Sequence, residues 1–468
     1  MRFGTDGLRG VAGAELTPEL ALALGRAAAR VLGAGRWFVG RDPRRSGALL
    51  SAALTAGLAA EGAEVIDLGV LPTPGVALWA AAEGAPAAMV SASHNPFTDN
   101  GIKLFGLGGR KLSDAVERRI EAELHAGPRA ISSADAEGWG DGAAVVADGG
   151  CAGAGGWEVL SGGALGTVVA DGGADRYAAH LVATLEGRDL AGIRVVLDTA
   201  NGAGAVVGPM VLRRLGCELL TVLGDTPDGS NINAGCGSTH LGPLAEAVVA
   251  TGADVGIALD GDADRCLAVD HRGEEVDGDQ LLALLALDLR RRGRLEQDTV
   301  VVTVMSNLGL HLAMADAGIL LETTAVGDRY VLDRMEEGGY VLGGEQSGHV
   351  IFRQLATTGD GLLTALQVLD VMRRSGRPLA ELAGIVQRLP QVLLNVRVAG
   401  SAKEALASSA AVAAAVAAVE AELGERGRVL LRPSGTEPLV RVMVEAPTDA
   451  LAQEAAARIA KVVEAALA

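Results

Sequence analysis

Thr299-Val300-Val301-Val302-Thr303-Val304-Met305, followed at once by Ser306-Asn307, is an almost unbroken apolar, β-branched run that stops at a turn signal. A run of this kind, without polar alternation, fits a strand covered on both faces. A helical stretch is expected over about 308–317, and a second strand-like run returns over 319–324. The same unit stands twice more upstream. Residues 37–40 break at Arg41-Asp42-Pro43, lead into a helical stretch over 48–61 and return as a strand over 63–68. Residues 193–197 break at Asn201-Gly202, with a helix expected over about 207–215 and a strand over 218–223. Such strands alternating with helices predict parallel β-α-β units. Three copies predict three tandem mixed α/β domains of similar build, alike in pattern and not in residue identity.

The end of the chain reads differently. Residues 391–398 alternate as a strand, 402–423 form an Ala/Glu helix, and strands over 429–432 and 439–445 flank a loop. Residues 449–467 close as an amphipathic helix with apolar positions every third or fourth place. This predicts a smaller C-terminal α+β domain. Residues 138–173 are rich in Gly and Ala without a steady period, and read as a linker or an insertion. The expected division is therefore 1–140, a Gly-rich segment 141–173, then 174–272, 273–386 and 387–468.

Composition bounds the function. A length of 468 residues suits three or four domains. With 40 Lys and Arg against 58 Asp and Glu, the net charge of −18 argues against a passive nucleic-acid or anionic-membrane surface. The 4 Cys form no CxxC pair, so neither a disulfide framework nor a zinc module is indicated. Asp6, with no apolar core after it, speaks against a secretory signal, and no uncharged stretch reaches the length that spans a bilayer. A soluble cytoplasmic protein is the expectation. The 65 Gly, about twice the usual share, suggest loops where backbone approaches something closely.

Four loops carry chemistry-bearing residues. The first is Ser91-Ala92-Ser93-His94-Asn95-Pro96, with Lys103 beyond it. A serine beside a histidine suits an activated nucleophile and Lys103 suits a phosphate, although in isolation a Ser/Asn/Pro turn explains the segment better. The second is Asp260-Gly261-Asp262-Ala263-Asp264-Arg265, after an apolar run. Three carboxylates this close at the end of a buried strand repel unless a hard cation such as Mg²⁺ neutralises them. It is no EF-hand, since Arg265 stands where the sharp-turn glycine belongs. The third is Gly343-Gly344-Glu345-Gln346-Ser347-Gly348-His349, suited to sugar hydroxyls or to an ordinary polar loop. The fourth is Arg432-Pro433-Ser434-Gly435-Thr436-Glu437-Pro438 with Arg441 beyond, either a phosphate cradle or a tight hairpin. Gly202-Ala203-Gly204 with Gly208 imitates a dinucleotide fingerprint, but its spacing is one residue too long, so a helix–strand packing turn is expected.

Taken in this order, the four loops and the opening Phe3-Gly4-Thr5-Asp6-Gly7-Leu8-Arg9-Gly10 resemble the α-D-phosphohexomutase superfamily over nearly the whole chain. Asn231-Ile232-Asn233, Cys236 to His240, Val326-Gly327-Asp328-Arg329-Tyr330 and Gln346 resemble its glucosamine branch. The resemblance implies four domains around a central cleft, each giving one loop. It implies that Ser93 carries a phosphoryl group as phosphoserine, and that Mg²⁺ sits on Asp260, Asp262 and Asp264 with a phosphoserine oxygen. Glu345, Ser347 and His349, with Gly327, would meet the sugar. Arg432, Ser434, Gly435, Thr436 and Arg441 would hold the phosphate that is not transferred. Arg9, Lys103 and Arg265 would stabilise charge, with His94, Lys103 and His349 near enough in role to move protons. The implied reaction interconverts glucosamine 6-phosphate and glucosamine 1-phosphate through glucosamine 1,6-bisphosphate. The partner is then a small phosphosugar, and the resemblance admits a homodimer.

Overall fold

The computed structural model describes residues 3–4, 6–126, 164–398, 406–433 and 439–467. Each expected strand–helix–strand unit is present and its two strands are parallel neighbours. Arg36–Arg41 pairs with Glu64–Val70 across helix Gly47–Ala60, Arg194–Asp198 with Glu218–Leu223 across Gly204–Arg214, and Thr299–Thr303 with Leu320–Thr324 across Leu308–Asp316. Each unit is the nucleus of its own sheet. The first sheet has six strands, the second five and the third four, and three antiparallel strands, 391–397, 439–445 and 428–433, make a separate C-terminal sheet. The fold is thus three mixed α/β units followed by a smaller α+β unit.

The sheets are mixed because their later strands turn back. Ala87–Val90 lies parallel to Arg36–Arg41, whereas Asp99–Phe105 returns antiparallel to it and carries Lys103 opposite Met89. In the second sheet Val255–Leu259 is parallel to Arg194–Asp198, but Cys266–Asp270 folds back on it as a hairpin. The acidic loop is the tip of that hairpin. Loops at the carboxyl ends of parallel strands are where open α/β sheets place their ligands. Ser91–Ser93, Asp260–Asp264 and Glu345 all follow such ends, after Val90, Leu259 and Gly344.

The three α/β units share one continuous apolar core that includes Phe38, Leu71, Leu197, Leu259, Leu285, Val302 and Leu342. Helix Gly361–Ser375 runs through it, buried over residues 361–372. The C-terminal unit has a separate core built on Val396, Val440, Val442, Ile459 and Val463. Polar contacts tie it to the third unit. Asn307 Nδ2 donates to Leu389 O at 3.0 Å and Glu445 Oε1 at 3.3 Å, Leu308 N donates to Glu445 Oε2 at 2.8 Å, and Arg428 reaches Ser306 O at 2.7 Å.

Four expectations change. Of the helix expected over 402–423, residues 402–405 lie outside the described residues, Leu406–Ser408 is a short turn, and the helix runs Ala410–Leu423, where Ser409 accepts from Val412 N and caps it. The strand expected over 299–305 ends at Thr303, where Ser306 N turns back to Thr303 O. The helix expected from 207 begins at Gly204. Of the Gly-rich segment 138–173, residues 138–163 lie outside the described residues, while Val168–Ala170 forms a parallel edge strand against Val65–Asp67. Three exposed residues between glycines are too few to show a period.

Candidate active site

The serine loop is built to hold one hydroxyl. After the strand Ala87–Val90, Ser91 Oγ donates to Asp42 Oδ2 at 2.6 Å and accepts from Ser93 N at 2.9 Å. Ser93 itself is buried with φ 51°, a left-handed conformation that costs a non-glycine residue about 1–3 kcal/mol and persists only where its surroundings impose it. Here they do. Arg44, buried and paired with Asp42 at 2.9 Å, donates to Ser93 O and Asn95 O at 2.8 Å each. From the second unit, Asn233 Nδ2 donates to the same two carbonyls at 2.9 and 3.1 Å.

The acidic hairpin tip closes over that loop. Asp260, Asp262 and Asp264 are buried, with one carboxylate oxygen from each lying within 4.8 Å of the others. Ser93 Oγ donates to Asp260 Oδ2 at 2.5 Å. Only glycine fits at Gly261, since a Cβ there would stand 2.6 Å from Ser93 O. Asp262 Oδ2 accepts from Thr73 Oγ1 at 2.6 Å and Lys103 Nζ at 2.8 Å, and Lys103 also reaches Asp264 Oδ2 at 3.3 Å and Asp6 Oδ2 at 3.2 Å. Burial alone pulls the Lys103 ammonium down, but Asp262, Asp6 and Asp264 outweigh it and hold its pKa well above the usual lysine range. Burial, with Asp264 and Asp262 beside it, pushes Asp260 well above the usual carboxylate range.

Two kinds of buried atom are left without hydrogen-bond partners. Among the described residues, Asp262 Oδ1 and Asp264 Oδ1 accept no hydrogen bond and Arg9 Nε and Arg265 Nε donate none, with Arg265 Nε and Asp264 Oδ1 facing each other as an ion pair at 3.9 Å. Buried polar atoms are costly to leave unpaired, by roughly 1–3 kcal/mol each. An all-oxygen set with spare carboxylate oxygens fits a hard divalent cation such as Mg²⁺. Spare guanidinium donors fit an anion such as a phosphoryl group. His94 lies between them. Its Nδ1 is 3.3 Å from Ser93 Oγ, and burial, then Arg265 and Arg9, take its pKa down to about 4.

The third loop joins from the opposite side. Glu345 Oε1 accepts from Gly327 N at 3.2 Å, and Ser347 Oγ donates to Glu345 Oε2 at 3.2 Å. His349 is buried. Its Nε2 accepts from Gly359 N at 2.9 Å, and its Nδ1 faces Asp264 Oδ2 at 3.7 Å. That pattern assigns the proton to Nδ1 in the neutral ring. Asp328, beside Gly327, ion-pairs with Lys111 at 2.6 Å, and Lys111 in turn pairs with Asp6. Arg329 donates to Leu112 O at 3.1 Å. These contacts hold the third unit against the first.

Of the expected site residues, Ser93, His94, Lys103, Asp260, Asp262, Asp264, Arg265 and His349 are brought into one cluster, with Arg9 joined through Asp6. Glu345, Ser347 and Gly327 form an adjoining group. Arg432 and Arg441 face each other across paired strands of the C-terminal sheet. Burial, and then the neighbouring Arg441, lower the pKa of Arg432. Ser434, Gly435 and Thr436, between them, lie outside the described residues. Reading for motifs missed Arg44, Thr73 and Lys111. None of the three belongs to a recognisable motif, and their site partners come from distant segments.

The glycine decoy packs as expected. Ala203 N donates to Gly261 O at 2.8 Å, and a Cβ at Gly202 would meet that oxygen at 2.3 Å. The turn therefore supports the acidic loop and has no room for a pyrophosphate. A cavity of about 580 Å³ lies elsewhere, lined by Arg194, Asp254, His271, Arg373 and Arg377. It opens at the amino ends of the second sheet's strands, and its Arg194 is already paired with Asp254 at 2.7 Å. The chemistry is at the other end.

Comparison with known proteins agrees with this arrangement. Family models match four consecutive stretches: phosphoglucomutase/phosphomannomutase α/β/α domain I over residues 1–130, domain II over 168–273, domain III over 277–389 and the C-terminal domain over 393–462. The chain is 53% identical over 466 residues to a phosphoglucosamine mutase of Nocardia farcinica, covering 98% of each chain. It is 54% identical over 475 residues to one of Streptomyces coelicolor, covering 99% of each. Among solved structures, a phosphoglucomutase/phosphomannomutase family protein of Burkholderia thailandensis superposes with a TM-score of 0.76 at 24% identity, over 99% of this chain and 97% of that one. N-acetylphosphoglucosamine mutase of Aspergillus fumigatus, solved with GlcNAc-6P and magnesium, does so with a TM-score of 0.67 at 18% identity, over 100% and 96%. Four domains matched in order, and relatives more than half identical along nearly their whole length, establish that the chain belongs to the phosphoglucomutase/phosphomannomutase family.

Proposed function

We propose that this enzyme is a phosphosugar mutase interconverting glucosamine 6-phosphate and glucosamine 1-phosphate, with Ser93 as the phosphoryl carrier. The observation that carries the reaction type is the pairing of unsatisfied groups around Ser93: acceptors on Asp262 and Asp264, donors on Arg9 and Arg265. One set suits a divalent cation and the other a phosphoryl group. The choice of glucosamine rests on the full-length relatives, which carry that name at more than half identity.

Phosphoryl transfer needs positioning and charge neutralisation more than covalent activation. Mg²⁺ bound by Asp260, Asp262, Asp264 and the Ser93 oxygen would supply charge neutralisation on the transferring group. Arg9 and Arg265 orient that group through their spare N–H donors. The phosphorus–oxygen bond at Ser93 breaks as one forms to a hydroxyl of the sugar phosphate, giving glucosamine 1,6-bisphosphate. The attacking hydroxyl gives up its proton to a protein base as the departing Ser93 oxygen takes one up, and both transfers reverse when Ser93 recovers the other phosphate. His94, neutral and 3.3 Å from Ser93 Oγ, is suited to that exchange. Lys103, held charged by three acids, is suited to electrostatic stabilisation instead. Glu345, Ser347, His349 and Gly327 would meet the sugar, and Arg432 and Arg441, with Ser434, Gly435 and Thr436, the idle phosphate. The same reading makes the protein a cytoplasmic enzyme.

Comparing kcat/KM on glucosamine, glucose and mannose 6-phosphates tests the substrate. The proposal expects glucosamine to lead by at least about tenfold, and a lead for mannose or glucose contradicts it.

A further inference from the structure

The acidic loop is held from the first unit by a residue that no catalytic motif includes. Thr73, wholly buried at the start of helix Thr73–Glu83 in the first unit, holds Asp262 twice. Its amide donates to Asp262 O at 2.9 Å, and its hydroxyl donates to Asp262 Oδ2 at 2.6 Å. Lys103 Nζ donates to the same oxygen at 2.8 Å. Oδ2 is thus saturated by two donors on one side of the carboxylate. Oδ1, equally buried, has none. A carboxylate is symmetric until its surroundings distinguish its oxygens, and here the distinction comes from Thr73 and Lys103.

The geometry points to Thr73 as a positioning residue: its hydroxyl fixes the rotation of the Asp262 carboxylate so that Oδ1 alone is presented to a divalent cation. The contrast with Asp264 sharpens this. Among the described residues, Asp264 Oδ2 is held only by the longer contacts to Lys103 at 3.3 Å and His349 at 3.7 Å, both charged or chargeable side chains. The Thr73 hydroxyl is short, neutral and rooted in a helix, so it orients Asp262 without cancelling its charge. Outer partners of this kind typically account for about 10–100-fold in metal affinity. The contact also crosses between units, from residue 73 to residue 262, and so makes cation affinity sensitive to the docking of the first unit on the second.

This inference rests on the reading of Asp262 as a cation ligand, and the experiment separates the two. Mn²⁺ is titrated into the purified full-length protein, with free Mn²⁺ followed by electron paramagnetic resonance. The comparison is among the unaltered chain, Thr73→Val, Thr73→Ala and Thr73→Ser, each checked by circular dichroism without the cation. The expected result is a dissociation constant raised about 10–100-fold in the two variants lacking a hydroxyl, and within about threefold of the original in Thr73→Ser. Unchanged affinity in Thr73→Val overturns the role of Thr73 alone. Equal weakening in all three variants, or unfolding of both hydroxyl-free variants beside a folded Thr73→Ser, also overturns it, because packing or stability would then be what the residue supplies. An unaltered chain that binds no Mn²⁺ removes the cation site itself, and this inference with it.

Discussion

Ser93 Oγ donates to Asp260 Oδ2 across 2.5 Å, joining the first α/β unit to the second at the tip of a hairpin. A serine that carries a phosphoryl group needs its oxygen beside a charge-neutralising centre, and this contact places it there. Everything around it is arranged to keep that distance short: Arg44 and Asn233 on the Ser93 carbonyl, and Gly261 beneath it.

Gly261→Ala is therefore expected to damage catalysis without unfolding the chain. The added methyl would lie 2.6 Å from Ser93 O and 2.8 Å from Ile232 Cδ1, so the serine loop must shift. Misplacement by about 1 Å costs roughly 100-fold in rate. A steady-state assay should show kcat falling by at least about tenfold with an unchanged far-ultraviolet spectrum. Wild-type kcat would contradict the packing argument.

Chelation should abolish activity, and Mg²⁺ should restore it. Asp264→Asn removes one of the three clustered carboxylate charges, so the Mg²⁺ concentration for half-maximal rate should rise by at least about tenfold. Activity that persists in excess chelator would show that the three aspartates serve another end.

Arg432→Ala should act on binding. Arg432 and Arg441 stand opposite each other on adjacent strands, two guanidinium groups suited to one phosphate. Losing one charge-assisted hydrogen bond to phosphate should raise KM for glucosamine 6-phosphate on the order of 10–100-fold, with a smaller effect on kcat. A fall in kcat at constant KM would assign Arg432 a different role.

The junction between the third and fourth units should respond to pH through Asp279. Asp279 is buried, accepts from Asn307 N at 2.6 Å, and burial followed by Asp277 raises its pKa to about 7. A carboxyl raised in the folded state binds its proton more tightly there than in the unfolded chain, so its contribution to stability is full at low pH and is lost as pH rises from about 4 to about 7. Asp279→Asn keeps an acceptor for Asn307 and removes that loss. Thermal unfolding should show the variant gaining more over the original protein at pH 8 than at pH 5. An equal gain, or a larger one at pH 5, would contradict the sign.

The strand–helix–strand units could be read because a β-branched run and a turn signal are local facts. Val255–Leu259 illustrates the limit. It could be read as an apolar run ahead of the acidic loop, yet nothing local says that it lies parallel to Arg194–Asp198 and antiparallel to Cys266–Asp270. The acidic loop could be read because three like charges after a buried strand are implausible alone. Arg44 and Thr73 could not. Arg44 follows an unremarkable Asp-Pro turn, and its importance lies in carbonyls some fifty positions away. Thr73 is one threonine between two prolines, and its partner is 189 positions distant. Sequence proximity reports local turns and periodicity, whereas these residues act through long-range contacts.

The central claim is that the Ser93 oxygen carries the phosphoryl group. Intact mass is measured for the purified protein and for Ser93→Ala after incubation with glucose or glucosamine 1,6-bisphosphate, before and after phosphatase. The account predicts an increment of one phosphate on the unaltered chain, removed by phosphatase and mapped by peptide fragmentation to Ser93, with no increment and no mutase activity in Ser93→Ala. A phosphate that maps to another residue, or a Ser93→Ala protein with full activity, would contradict it.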